Sequence, residues 1–209
     1  MSILALTSDT LSSPAAVGQI EYTSPIFAAT PIGTQRGIVP TQQYYRLDSA
    51  VVGTQVLTAQ SVFGVGVTLS SSTVYEFEMV VAFSKTTGTT SHTFNLGIGG
   101  TATFNNITTN LTGANNNASL TPATNSANNV FQLTTTATIS AMTSAIVLAV
   151  TNHWFVIKGT VSINAGGTFI PQYTLSAAPG GAYSTVAGSF IKINPLSASG
   201  AATNVGTWA

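Results

Sequence analysis

Cysteine is absent from this 209-residue chain, which removes disulfides, thiolate zinc sites and thiol catalysis from consideration. The compartment stays open, because cytosolic assembly and extracellular life both tolerate a lack of Cys. Charge is nearly as scarce, with five acidic and five basic side chains and a formal net charge of zero. A soluble domain ordinarily keeps about a quarter of its residues charged, and a chain near neutrality tends to associate rather than repel its copies. The basic residues Arg36, Arg46, Lys85, Lys158 and Lys192 are scattered. Too few lie together to neutralise a phosphate backbone or to grip an anionic membrane, so no nucleic-acid or membrane partner is expected. Long apolar runs are missing too, the longest, residues 145–150, being far too short to span a bilayer. The opening MSILALTSDTLSSP has no basic segment and only a short apolar run broken at Thr7, so no signal peptide is predicted.

What remains is 44% hydrophobic and rich in Thr, Ser, Asn, Gly and Ala. Residues 73–83, TVYEFEMVVAF, alternate Tyr75, Phe77, Met79, Val81 and Phe83 with Val74, Glu76, Glu78, Val80 and Ala82. Period-two alternation of this kind predicts a strand with one apolar face. Further strands are predicted at 42–47, 62–69, 92–98, 131–139, 145–151, 154–163, 168–175 and 189–193, each bounded by Gly, Pro, Asn or Ser. Many short strands and no helical periodicity imply an all-β fold, an antiparallel β-sandwich of jelly-roll kind formed by residues 41–209. Gly64 and Gly66 interrupt the strand VFGVGVTL and predict a bulge or a close backbone approach; no helix follows them to make a phosphate loop. Residues 1–40 differ, because Pro14, Pro25, Pro31 and Pro40 divide them into short extended pieces. They are read as an extended N-terminal assembly arm with few internal hydrogen bonds. The Asn-rich stretch 105–129 reads as long distal loops, and its sequons at Asn106, Asn110 and Asn117 as chance matches in an Asn/Thr-rich segment.

Candidate chemistry is thin. The two histidines, His92 and His153, lack clustered carboxylates to complete a metal site, and no acidic calcium loop occurs. His92 shares a predicted face with Phe94, Leu96 and Ile98 and reads as a hydrogen-bonded structural residue. His153 with Trp154 reads as an aromatic pair at a sheet edge or subunit contact. Glu76 and Glu78, about 7 Å apart along one strand face, have a glycosidase-like spacing but lack further acids and aromatic platforms. Counting alone leaves a Ser-His-Asp triad open, yet no GxSxG elbow is present. No catalytic, metal or cofactor residues are therefore assigned, and Tyr44, Tyr45, Trp154 and Trp208 are the candidate interface residues.

The stretches SSPAAVGQIEYTSPIFAATPIGTQRGIVPTQQYYRL, AQSVFGVGVTLSSSTVYEFEMVVAFSKTTGTTSHTFNLGIGGTATFNNI, GSFIKINPL and NVGTW resemble virion proteins of tailed bacteriophages, especially marine and cyanobacterial ones. Similar segments there often form the C-terminal module of a tail-fibre-like chain. No fibre shaft or collagen-like repeat precedes the module here. The resemblance implies a non-enzymatic structural protein of the virion surface, assembled in the host cytoplasm: a homotrimeric capsid decoration or cement protein seated on the major capsid protein. The alternative it implies is a tail-fibre tip, held by an adaptor protein and binding a host-surface glycan. It names no catalytic residues.

Overall fold

The computed structural model describes residues 6–33, 35–115, 132–134, 141–142 and 145–200. The period-two pattern at residue 73 becomes β8 (Thr73–Lys85), whose odd-numbered side chains are buried throughout. It is the central strand of the larger sheet. On one side lie β13 (Thr151–Ala165), β10 (Thr103–Asn115) and β11 (Gln132–Thr134). Its other edge is shared by two short ladders, β16 (Phe190–Ala198) followed by β4 (Gln43–Arg46), and β15 (Ser184–Thr185) followed by β5 (Val51–Val52). The facing sheet has the order β12 (Ala141–Met142), β9 (Phe94–Gly99), β14 (Gly167–Leu175), with β6 (Gln60–Ser61) and β7 (Val67–Leu69) also on β14. All of these pairings are antiparallel. The inner faces meet through aromatic rings: Phe77 with Phe169 at 5.5 Å, Phe83 with Phe94 at 4.8 Å and Phe83 with Tyr173 at 5.4 Å between centroids. The chain is thus an all-β, antiparallel β-sandwich, as its alternation predicts.

The passage from one sheet to the other after β13 occurs within two residues, at Gly166 and Gly167. Space demands glycine at both. A Cβ on Gly166 would lie 2.9 Å from the Leu69 carbonyl oxygen, and one on Gly167 would lie 2.6 Å from the Ala102 nitrogen.

Four expectations need correction. The predicted strand 62–69 is split: Ser61 faces Gln172 and Val67 faces Phe169, so six steps along one strand oppose three along its partner. Gly64, at φ +72°, makes this protrusion possible, and Gly66 lies where a Cβ would meet Ile170. Residues 145–150 form no strand. They are irregular backbone attached by a single bridge between His92 and Ile146, since their apolar run lacks the alternation that a half-buried strand needs. The Asn-rich stretch begins as β10 rather than as a loop. Ile107, Thr109 and Leu111 alternate inward while Asn106 and Asn110 face outward, and the inward Thr109 conceals the period. Asn117 and the rest of that stretch lie outside the described residues.

The fourth correction concerns the N-terminal segment, where residues 20–39 are not devoid of internal bonding. β1 (Ile20–Thr23), β2 (Ile26–Ile32) and β3 (Gln35–Val39) form their own three-stranded antiparallel sheet. A polar knot fastens it: Arg36 Nε donates to Glu21 at 2.8 Å, Arg36 Nη2 donates to the Ser12 carbonyl at 2.6 Å, and the Ser12 amide and hydroxyl both donate to Glu21 at 2.7 Å. The Ser12 bonds, with the Arg36 charge behind them, hold the Glu21 carboxyl below its ordinary range.

Candidate functional site

The outer face of the larger sheet is ordered by register, because directly opposed residues on neighbouring strands share a face. One row across it runs Tyr44, Lys192, Glu78, Lys158, Asn110. Within it Glu78 receives Lys192 at 3.1 Å and Lys158 at 3.4 Å. The Lys192 hydrogen bond, with both positive charges, keeps the Glu78 carboxyl below its usual range against partial burial. Glu78 is therefore a bridge between strands β13 and β16, not a poised acid. The next row is Arg46, Phe190, Val80, Val156, Thr112, and beyond it Ala82 lies beside Trp154. Tyr44 packs on Phe190 at 5.5 Å. Tyr44 is 54% exposed and Trp154 45%; three strand spacings across the sheet and four residues along it separate them, about 20 Å in all.

Tyr44 and Trp154 thus share one face with Phe190, Val80, Val156 and Ala82 between them. Tyr45, one residue on, points the other way. It meets Phe63 edge-on at 6.1 Å and helps line a groove of about 360 Å³ where the sandwich opens between β4 and β7. The floor is Phe63, Phe169, Ile191 and Ile193, and Gln43 and Thr68 supply polar groups. Trp208 lies outside the described residues.

His153 also departs from its expected place. Neighbouring strand residues face opposite ways, so Trp154 looks outward while His153 is buried, with 1% of its surface exposed. It lies against Phe94 at 5.2 Å and Tyr183 at 5.6 Å between centroids. Its Nε2 is 3.4 Å from the Tyr183 hydroxyl, and its Nδ1 is buried without a hydrogen-bond partner. His92 is the buried, hydrogen-bonded residue that its strand face implies. Its Nδ1 lies 2.7 Å from the Thr90 carbonyl and its Nε2 2.8 Å from the same Tyr183 hydroxyl. A carbonyl only accepts, so His92 carries its proton on Nδ1 and accepts from Tyr183 at Nε2.

Lys85 closes this cluster. It continues the buried parity of β8 and is fully enclosed, donating to the carbonyls of Thr87 (3.0 Å), Gly88 (2.7 Å), Leu148 (2.7 Å) and Ala149 (3.1 Å). Burial lowers its pKa. Burial chiefly, with His92 and Lys85 nearby, pushes His153 down to about 4, and burial likewise lowers His92 against the Thr90 hydrogen bond. Tyr173 is pushed up to about 12 and Tyr183 is raised further, both by burial. Lys85 was legible as the next odd position after Phe83; Tyr183, in a Gly-rich connection, carried no periodic signal.

Chemically, this cluster neither presents a nucleophile to solvent nor gathers carboxylates. No group of three or more His, Cys, Asp or Glu side chains is placed to hold a metal among the described residues. The outer face and the edge groove each present exposed aromatic side chains to another molecule. No family model, curated protein or solved structure matches the chain.

Proposed function

We propose that this chain is a non-enzymatic structural protein of a bacteriophage virion surface, a trimeric decoration or cement protein that stabilises the capsid by lying on the major capsid protein. The observation that carries the association part of this reading is the outer face of the larger sheet, where Tyr44, Phe190, Val80, Val156, Ala82 and Trp154 form an apolar stripe beside an ion-paired Lys-Glu-Lys row. Apolar area removed from water contributes about 25 cal/mol per Å², so a modest contact repeated over a shell sums to a large resistance. The bacteriophage setting rests on the resemblance of the sequence stretches. On this reading residues 1–40 act as the assembly arm, and the two-sheet head is a jelly-roll variant.

A second reading, a fibre-tip protein binding a host-surface glycan, is favoured by the edge groove, where Tyr45 and Phe63 stand with Gln43 and Thr68. Aromatic faces with a few polar groups suit a small ligand. Quantitative mass spectrometry of purified virions separates the two. A copy number comparable to that of the major capsid protein is the expected result. A few copies per particle would move the protein to the tail, and absence from virions would remove both readings.

A further inference from the structure

The buried cluster has no part in the association surface, yet it joins two irregular segments to the sandwich. Residues 86–92 and 145–150 meet over it. Lys85 holds one through the Thr87 and Gly88 carbonyls and the other through the Leu148 and Ala149 carbonyls. The segments touch each other through paired backbone bonds, His92 N to Ile146 O at 3.2 Å and Ile146 N to His92 O at 2.8 Å. Thr151 adds a bond from its hydroxyl to the Leu148 carbonyl at 3.2 Å. Beneath them β8 and β13 are secured by a continuous ladder from Lys85–Thr151 to Val74–Ser162. The two segments have no such ladder, so they can open while the β8–β13 pairing stays intact.

We propose that the His153–Tyr183–His92 chain, together with Lys85, is an acid-sensitive latch that releases residues 86–92 and 145–150 when a proton enters the cluster. At neutral pH the hydrogen bonds run in one direction. The His153 Nε2–H points at the Tyr183 oxygen, the Tyr183 hydroxyl donates to His92 Nε2, and His92 Nδ1–H donates to Thr90. Two basic nitrogens can take a proton. On His153 the free site is Nδ1, which has no acceptor nearby. On His92 it is Nε2, and a proton there displaces the one that Tyr183 donates, leaving that hydroxyl to turn toward Thr151, its other hydrogen-bond neighbour.

Either event places a second positive charge beside Lys85, whose ammonium lies 5.9 Å from the centroid of the Tyr183 ring. The groups facing His153 are Lys85 and the directly opposed Phe83 from β8, His92 just before β9 and Phe94 at its start, Phe155 from its own strand, and Tyr183. No carboxylate is among them. Asp9 and Glu21 belong to the N-terminal segment, Asp48 is exposed beside Arg46, and Glu76 and Glu78 face outward from β8. The cluster cannot neutralise the new charge internally, so admitting water by opening the two segments is the available relief.

The sign follows from linkage. A histidine whose pKa in the closed state is lowered, here from 6.5 to about 4 for His153, favours the closed state fully above its ordinary value. That preference is lost as pH falls from 6.5 and levels off near 4.

Hydrogen exchange of the full chain, corrected for the intrinsic pH dependence of exchange, tests this at about pH 7.5 and about pH 4.5. The opening constant for residues 86–92 and 145–150 is expected to rise by roughly ten- to a hundredfold at the acid pH, with β8 and β13 still protected. His153→Phe, which keeps a ring against Phe94 and Phe155, should weaken that response, and the double variant His92→Gln/His153→Phe, which leaves neither imidazole to take a proton, should lose it. Equal protection at both pH values in the native chain, or an undiminished acid response in the double variant, overturns the latch. If the double variant does not fold, imidazole nitrogen NMR on the native chain decides. His153 should stay neutral to about pH 5 and titrate together with loss of the His92 and Ile146 amide protection; titration near its ordinary value with those amides intact overturns the proposal.

Discussion

Lys85 shows how a residue that looks like a solvated charge becomes structural. Its ammonium is enclosed without an anion and is satisfied by four backbone carbonyls from two segments. Removing the charge while keeping the bulk, as in Lys85→Met, leaves these acceptors buried and unpaired. An unpaired buried group costs about 1–3 kcal/mol, partly recovered where water enters. Urea unfolding of Lys85→Met should therefore show a loss of about 3 kcal/mol, whereas Lys158→Met, at an exposed pair, should change stability by less than about 1 kcal/mol. Equal effects from both would mean that the carbonyl cage contributes nothing. The same residue marks a limit of sequence reading. Parity along TVYEFEMVVAFSK places Lys85 inward, but no pattern shows that the carbonyls of Leu148 and Ala149 will come to meet it. His153 was misplaced for the opposite reason: reading it as a partner of Trp154 ignored that adjacent strand residues face apart.

At the scale of elements, the strands with strong alternation were legible and those whose inward positions are polar were not. β8, β13 and β14 follow from their aromatic and aliphatic spacing, and β16 was seen in its first half. β10 was hidden, because Thr109 and Gly113 occupy inward positions among Asn and Thr. Thr is β-branched and favours strands, so the composition that suggested a loop was compatible with pairing. The Gly166–Gly167 corner is a different case, in which the requirement is spatial and has no periodic signature. Gly167→Ala would press a methyl group against the Ala102 nitrogen and the Thr101 hydroxyl, each 2.6 Å away. A loss of about 2 kcal/mol is expected by thermal or chemical unfolding. Gly37→Ala in β3, with open space around its Cβ, should be neutral or slightly stabilising. A neutral Gly167→Ala would show that the corner relaxes, and that close packing there does not fix the crossing between sheets.

At the scale of the whole molecule, the scarcity of charge decides how the chain meets a neighbour. Every cation has a partner inside the chain: Arg36 with Glu21, Arg46 with Asp48, Lys158 and Lys192 with Glu78, and Lys85 with its carbonyls. Little field is left to steer or repel another copy, so association through the outer face would depend on apolar burial and be nearly indifferent to salt. A trimer is the assembly implied by the proposed function. Sedimentation equilibrium of the purified chain is expected to give a trimer at low and high ionic strength alike. Trp154→Glu should convert it to a monomer with an unchanged circular dichroism spectrum, because Trp154 is half-exposed on the outer face and absent from the core. Tyr45→Ala, which alters the groove and not the outer face, should leave the trimer intact. If Trp154→Glu stays trimeric while Tyr45→Ala dissociates, the copies meet along the open edge between β4 and β7 and the outer face serves something else. A trimer that falls apart as salt rises would show that charge, despite its scarcity, holds the contact.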